Sequence, residues 1–492
     1  MFTRLKTAGL AALTFSLIAC SGGQAPETET AQTTPIASNA STTTSKPNII
    51  FVLVDDMGFG DVGFNNSEIA TPTLDMMGRE GVILDHNYAY PICSPTRAAL
   101  LTGRSPLEFG IDGPLADDAN LPLDVRIMPQ YFKDLGYQTV MIGKWHLGIG
   151  DVSFMPFSRG FDYHYGFLGG WIDFFTHVYS GAAEYDGGVD WQRNGKTVIE
   201  EGHATDLLSA DAERVIKARD KTKPFLMYLA YNAPHTPLQT LEEKTGLNEA
   251  IAMGDRYVYA EMMTQTDLGL GRVIDTLRAE GILDNTLIVF SSDNGGSLSG
   301  GASNGPLRGA KGGGLEGGMR VPGVAWWPGY VDGGRKLGQM TAMHDWLPTL
   351  LEAAGGNPSV VDKAYGQSMW SALSKGETVE RRPTLIGVRD NTGVFEGKWK
   401  YTVNTGRGGG AGRTTGLYDL AADPYETTDL SVQEPEVLAR LVKMYEERPT
   451  APSLHDKGSP PDRYFVNRDG SKAYDLRLEA TRAPWADTAT GR

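Results

Sequence analysis

The stretch Asn48-Ile-Ile-Phe-Val-Leu-Val54 is apolar from its second residue to its last and stops directly on Asp55-Asp56, which limits the fold more than any other feature of the chain. An unbroken apolar run of strand length reads as a strand covered on both faces, the condition of a parallel sheet between layers of helix. The pattern recurs at 138–142, followed by Lys144 and His146, and at 225–229, followed by Pro234-His235. It recurs again at 286–290, where two serines lead into Asp293-Asn294. Helices are predicted between these runs at 128–135, 206–219 and 257–280, the last with Leu270, Ile274 and Leu277 at core-facing spacing and Gly281 as a stop. This alternation predicts an α/β fold with a mostly parallel central sheet between helices. Such sheets bind ligands beyond the carboxyl ends of their strands, so the four polar clusters are expected to converge on one site.

The clusters suggest chemistry. Asp55, Asp56, Asp293 and Asn294 offer only oxygen donors and excess negative charge, a set that selects Ca²⁺ or Mg²⁺ over zinc or copper. In Cys93-Ser-Pro-Thr-Arg97, Pro95 suits the first turn of a helix. Cys93 then sits at a helix N-terminus that favours negative charge, with Arg97 one turn on, along the same side. On the residues alone Cys93 is either a buried thiol or a thiolate nucleophile, and Arg97 stands too close for the loop of a cysteine phosphatase. With 60 acidic against 45 basic residues the net charge is −15, which argues against nucleic acid as a partner. The two cysteines, Cys20 and Cys93, lie in unlike contexts and provide neither a disulfide framework nor a cysteine zinc site.

Cys93-Ser-Pro-Thr-Arg97 followed by Leu101-Thr-Gly-Arg104 resembles the signature of the type I, formylglycine-dependent sulfatases of the alkaline phosphatase superfamily. Supporting matches run in the family's order: Asp55-Asp-Met-Gly58, Gly143-Lys-Trp-His-Leu-Gly148, Ala233-Pro-His-Thr-Pro237, Ser292-Asp-Asn-Gly-Gly296, Arg308-Gly-Ala-Lys311 and Glu316-Gly-Gly-Met-Arg320. The resemblance implies an alkaline phosphatase-like sandwich and a sulfuric ester hydrolase in which a formylglycine-generating or sulfatase-maturating enzyme converts Cys93 to Cα-formylglycine. It further implies a divalent cation, Ca²⁺ with Mg²⁺ as the alternative, held by Asp55, Asp56, Asp293, Asn294 and the modified Cys93. Arg97 and Lys144 would hold the hydrated aldehyde, His146 would act as the base that resolves a formylglycine-sulfate intermediate, and His235 and Lys311 would grip the sulfate and assist the leaving oxygen. The 160–177 stretch looks similar to the N-acetylgalactosamine-4-sulfatase (arylsulfatase B)-like branch. This makes His177 and Asp173 candidate pocket residues and Trp171 a sugar-stacking surface, with Arg308 as a further substrate contact. Gly312-Gly-Gly-Leu315 departs from relatives that carry bulkier residues before Glu-Gly-Gly.

At the N-terminus, Arg4 and Lys6 precede an apolar run too short to span a bilayer, and Leu17-Ile-Ala-Cys20 resembles the lipobox of bacterial lipoproteins. The expected organisation is a signal peptide at 1–19, a flexible tether at 20–46 from a lipidated Cys20, a catalytic domain at 47–376 and a C-terminal subdomain at 377–492. Short antiparallel strands are predicted there at 384–388, around Val394, at 398–401 and at 417–420, with a loop at 406–412 and a helix at 434–447. The expected location is the bacterial cell envelope, lipid-anchored at the outer membrane on its periplasmic or surface side. The expected substrate is a sulfated carbohydrate, either an oligosaccharide of a polysaccharide such as ulvan or carrageenan, or a glycosaminoglycan. A broad arylsulfatase or a phosphonate or phosphodiester hydrolase of the same superfamily is the alternative. A non-catalytic glycan-binding lipoprotein is disfavoured because every catalytic position is filled.

Overall fold

The computed structural model describes residues 46–115, 119–149, 152–179, 188–406 and 412–454. The expected signal peptide, Cys20, the tether up to residue 45, the centre of the 406–412 loop and the tail beyond 454 lie outside the described residues.

All four apolar runs are strands: Asn48–Val54, Gln138–Lys144, Phe225–Ala230 and Thr286–Ser292. They stand side by side in a ten-stranded sheet, in the order Thr286, Asn48, Phe225, Gln138, each paired in parallel with its neighbour. Tyr163–Phe167 extends the parallel part beyond Gln138–Lys144. On the other side Gly323–Trp326 runs antiparallel to Thr286–Ser292, so the sheet is mostly parallel rather than wholly so. Register keeps the carboxyl ends level, with Val54 beside Ser292 and both Leu53 and Gly143 beside Ala230.

The central strand is buried along its whole length because alternate side chains enter two different cores. Ile49, Phe51 and Leu53 pack with Ala98, Phe132 and Leu350, from helices Cys93–Thr102, Met128–Asp134 and Trp346–Ala353. Ile50, Val52 and Val54 pack with Leu74, Leu208 and Leu270, from helices Pro72–Glu80, Ala204–Ala218 and Asp255–Ala279. The expected α/β sandwich is therefore the observed one.

A separate antiparallel sheet follows, with Thr384–Val388, Asn391–Glu396, Trp399–Thr405 and Arg413–Asp419 side by side. Val394, Tyr401 and Leu417 on one face pack on Leu441 of helix Pro435–Glu446. The other face carries buried charge. Lys400 Nζ lies 2.9 Å from both Glu316 Oε1 and Glu426 Oε1, and all three side chains are fully buried. Glu316 also accepts from Tyr88 OH at 2.8 Å, while Glu426 accepts from Thr402 Oγ1 at 2.9 Å and from the Glu316 N–H at 2.7 Å. Burial opposes the charge on Lys400, and the two glutamates outweigh it and lift its pKa. Lys400→Met leaves two buried carboxylates without their cation and is expected to cost about 3–5 kcal/mol. Denaturant unfolding checks this, and an unchanged midpoint would show that the cluster adds no net stability.

Candidate active site

The backbone holds the strand ends together beyond the strands themselves. Asp55 N–H donates to the Ala233 carbonyl at 3.2 Å and Asp293 N–H to the Val54 carbonyl at 2.9 Å. Asp56 is left-handed, with φ +72°, and its N–H donates to Asp293 Oδ1 at 3.2 Å. A non-glycine residue in that region costs about 1–2 kcal/mol and persists where its surroundings fix it, a frequent circumstance at functional sites. Around Asp56 those surroundings are Asn294 Nδ2, 2.7 Å from Oδ1, and Lys311 Nζ, 2.8 Å from Oδ2. Burial would raise the Asp56 pKa, but Lys311 and His235 outweigh it and hold the carboxylate well below its usual range.

Two further cations sit deeper. Lys144 Nζ is 2.5 Å from Asp55 Oδ2. Arg97, fully buried, donates from Nη2 to Asp293 Oδ2 at 2.8 Å and from Nη1 to the Lys144 carbonyl at 3.0 Å and to Tyr228 OH at 3.2 Å. The helix N-terminus is where the proline predicted it, with Cys93 the first helical residue and Arg97 one turn on. Burial pushes the Cys93 thiol up while Lys144 and Lys311 pull it down, the net effect being upward. This weighs against the thiolate reading of that residue.

His146 also has positive φ, +55°. Its ring lies against Gly170, where a Cβ would come within 2.8 Å of Nε2, so any larger residue there would displace the imidazole. Burial, reinforced by Lys144 and Arg97, holds the imidazole well below its usual pKa, so it is neutral at neutral pH. His235 is pushed down to about 4 by burial, against the pull of Asp56. Its Nδ1 lies 2.6 Å from the Thr236 carbonyl, which leaves Nε2 as the acceptor, 3.7 Å from Asp56 Oδ2.

Asp55 Oδ1 and Asn294 Oδ1 are buried acceptors without a hydrogen-bond partner among the described residues. One ligand atom each from Asp55, Asp56 and His235 lies within 4.8 Å of the others. Buried oxygens left without donors, beside carboxylates, fit a hard divalent cation. Of the expected ligands, Asp55 and Asn294 each keep a buried oxygen without a partner among the described residues, while Asp56 has its two oxygens engaged by Asn294 and Lys311. Asp293 has both oxygens engaged, by Arg97 and by the Asp56 N–H. His235, expected at the sulfate, also stands within reach of the cation position. Asp55→Asn is expected to weaken Ca²⁺ or Mg²⁺ binding at least about tenfold and to lower activity with it. Calorimetric titration of the metal-stripped protein checks this, and wild-type affinity would contradict the site.

The expected substrate residues are placed less uniformly. The Trp171 ring is half-buried, 6.2 Å from that of His235. Asp173 closes its own turn, accepting from Phe175 N–H at 3.0 Å and Thr176 N–H at 2.8 Å, and takes Gln239 Nε2 at 2.6 Å. His177 is 1% exposed and stacks on Trp191 at 4.5 Å. These contacts engage both oxygens of Asp173, whereas His177 Nε2 is buried without a hydrogen-bond partner among the described residues. Arg308 donates to the Glu426 carbonyl and so braces the C-terminal sheet. Gly314, in the segment that departs from relatives, gives its N–H to Asn404 Oδ1 at 3.0 Å, and a Cβ there would lie 2.3 Å from the Val403 carbonyl. Glycine is what lets that loop meet the second sheet. Tyr228 was not anticipated, because one tyrosine in a buried apolar run reads as core.

Residues 47–356 match the model of the family described as Sulfatase. The chain belongs to the sulfatase family. Arylsulfatase J of Mus musculus is 32% identical over 451 residues, 81% of this chain and 75% of that protein. N-acetylgalactosamine-6-sulfatase of Homo sapiens is 32% identical over 359 residues, 68% of this chain and 67% of its own length. Among solved structures, Ps i-CgsB in complex with k-i-k-neocarrahexaose shares 35% identity at a TM-score of 0.76, covering 82% of this chain and 92% of that one. This sulfatase is accordingly a sulfuric ester hydrolase. The comparisons establish the family and not the N-acetylgalactosamine-4-sulfatase-like branch.

Proposed function

We propose that this sulfatase removes sulfate from a sulfated oligosaccharide of the carrageenan type, using a nucleophile made from Cys93. The observation that carries the reading is the convergence on one thiol of Lys144, Lys311, Asp293 and Asp55, the charges that act on Cys93, at the carboxyl ends of the parallel strands. Likeness to Ps i-CgsB, whose structure holds k-i-k-neocarrahexaose, supports the substrate class. Trp171 beside His235 offers a sugar face next to the charged centre.

Formylglycine in place of Cys93 would supply an aldehyde hydrate as nucleophile, and a divalent cation on Asp55, Asp56 and Asn294, with His235 in reach, would neutralise charge beside it. The remaining chemistry belongs to the chain's own groups. Lys311 meets the sulfate oxygens, where transition-state charge gathers, while His235, with Nε2 as an acceptor, faces the cation position. Arg97 and Lys144 fix the carboxylates Asp293 and Asp55 under the reacting position. Neutral His146 takes up the proton whose removal frees the product. A maturation enzyme that oxidises Cys93 is part of this proposal, as is a lipid anchor on Cys20. No helix among the described residues is long and apolar enough to cross a membrane. Cys20→Ser is expected to move the protein from the membrane fraction to the soluble fraction, and unchanged partitioning would remove the anchor.

Initial rates on defined sulfated carrageenan oligosaccharides, an aryl sulfate and a phosphodiester test the substrate class. The expected result is a kcat/KM on an oligosaccharide at least about 10²-fold above the other two, the scale of discrimination set by polar sugar contacts. A preference for the aryl sulfate or the phosphodiester would favour the broad hydrolase instead.

A further inference from the structure

Ser94 follows Cys93 directly and is fully buried, yet its hydroxyl serves neither a helix cap nor its own turn. It donates to the carbonyl of His146 at 2.9 Å and accepts the N–H of Leu115 at 3.0 Å. The first bond joins the helix that begins at Cys93 to the backbone of the residue read above as the base. His146 needs such a bond. Its backbone is left-handed, and its ring Nδ1 is buried without a hydrogen-bond partner among the described residues. What fixes the imidazole is therefore the backbone, held by Leu168, whose carbonyl accepts the His146 N–H at 3.0 Å, and by Ser94, together with the wall at Gly170.

We propose that Ser94 is a positioning residue whose hydroxyl clamps His146 in its left-handed conformation and so fixes where the imidazole stands relative to residue 93. The inference rests on the reading of His146 as base. A displacement of about 1 Å in such a group costs on the order of 10²-fold in rate, so one hydroxyl carries a measurable share of turnover.

The test is a double-mutant cycle with Ser94→Ala and His146→Ala, with rates normalised to the fraction of residue 93 converted to aldehyde, since Ser94 lies inside the segment that maturation would read. Ser94→Ala is expected to lower kcat about 10- to 100-fold with KM little changed, and to cost nothing further in the His146→Ala background. Ser94→Thr, which keeps the hydroxyl, restores most of the loss. A second readout needs no turnover. In the unmodified protein, histidine-selective NMR of its 8 histidines, with His146 assigned by its loss in His146→Ala, should show the His146 resonance shifted by Ser94→Ala. Equal losses in both backgrounds, or an unshifted His146 resonance, would overturn the clamp. Wild-type kcat in His146→Ala with the resonance still shifted by Ser94→Ala would leave the clamp standing and sink the base.

Discussion

Cys93→Ala removes turnover, by on the order of 10⁴-fold or more, and leaves the fold in place. The size of the effect follows from position. Residue 93 is the point on which Lys144, Lys311, Asp293 and Asp55 act, and no alanine chemistry replaces a nucleophile there. The intactness of the fold follows from the same geometry. Cys93 is the first residue of a helix, forms no disulfide and loses a single sulfur on substitution, a volume that costs about 1 kcal/mol where it leaves a small void. Circular dichroism and thermal unfolding of the variant should therefore match the parent. Activity within tenfold of the parent would show that residue 93 is not the nucleophile.

The second large effect is at Lys311. Its ammonium lies 2.7 Å from Asp56 Oδ1, and although burial opposes its charge, Asp56 with Cys93 and Asp55 raises its pKa, so it is a fixed cation. In the proposed reaction such a cation would stand beside developing sulfate charge and stabilise the transition state more than the ground state. Lys311→Ala is expected to lower kcat about 10²- to 10³-fold on oligosaccharide and aryl sulfate alike. Steady-state kinetics on both substrates checks this, and a loss confined to one of them would make Lys311 a specificity residue. Arg308→Ala provides the contrast. Three residues away, Arg308 gives its guanidinium to the Glu426 carbonyl, so its loss is expected in stability, with kcat little changed.

Four central strands of the large sheet were legible because burial on both faces writes itself into the sequence as apolar runs, whereas flanking strands such as Tyr163–Phe167 and Gly323–Trp326 were not read. In those four only the strand ends moved. Gly143-Lys144 and Ser291-Ser292 keep strand pairing after hydrophobicity has ended, so 138–142 and 286–290 each gained two residues. The helices at 128–135, 206–219 and 257–280 were found to within two residues at either end, as Met128–Asp134, Ala204–Ala218 and Asp255–Ala279.

Lys400 shows what was not legible. In Trp399–Thr405 the alternation sets Trp399, Tyr401 and Val403 on one face, so Lys400, Thr402 and Asn404 read as a solvent face. The structure buries that face as well, because Glu316 and Glu426 come from distant segments to meet it. A strand covered on both sides, but by an apolar layer on one and an ion cluster on the other, has the pattern of a half-exposed one. The residue types that meet at the strand ends were readable, but their contacts with one another were not. Asp293 is tied to Arg97, His235 reaches toward the cation position, and Asp173 and His177 are engaged locally, all consequences of tertiary contacts that no local spacing encodes.

The account depends most on what residue 93 is when the protein works. Mass spectrometry of the peptide carrying Cys93, taken from protein of measured specific activity, reads this directly. The prediction is a residue that has lost its sulfur and gained an aldehyde oxygen, in a fraction that rises and falls with specific activity across preparations. Full activity from protein in which that peptide carries only the unmodified thiol would contradict the account.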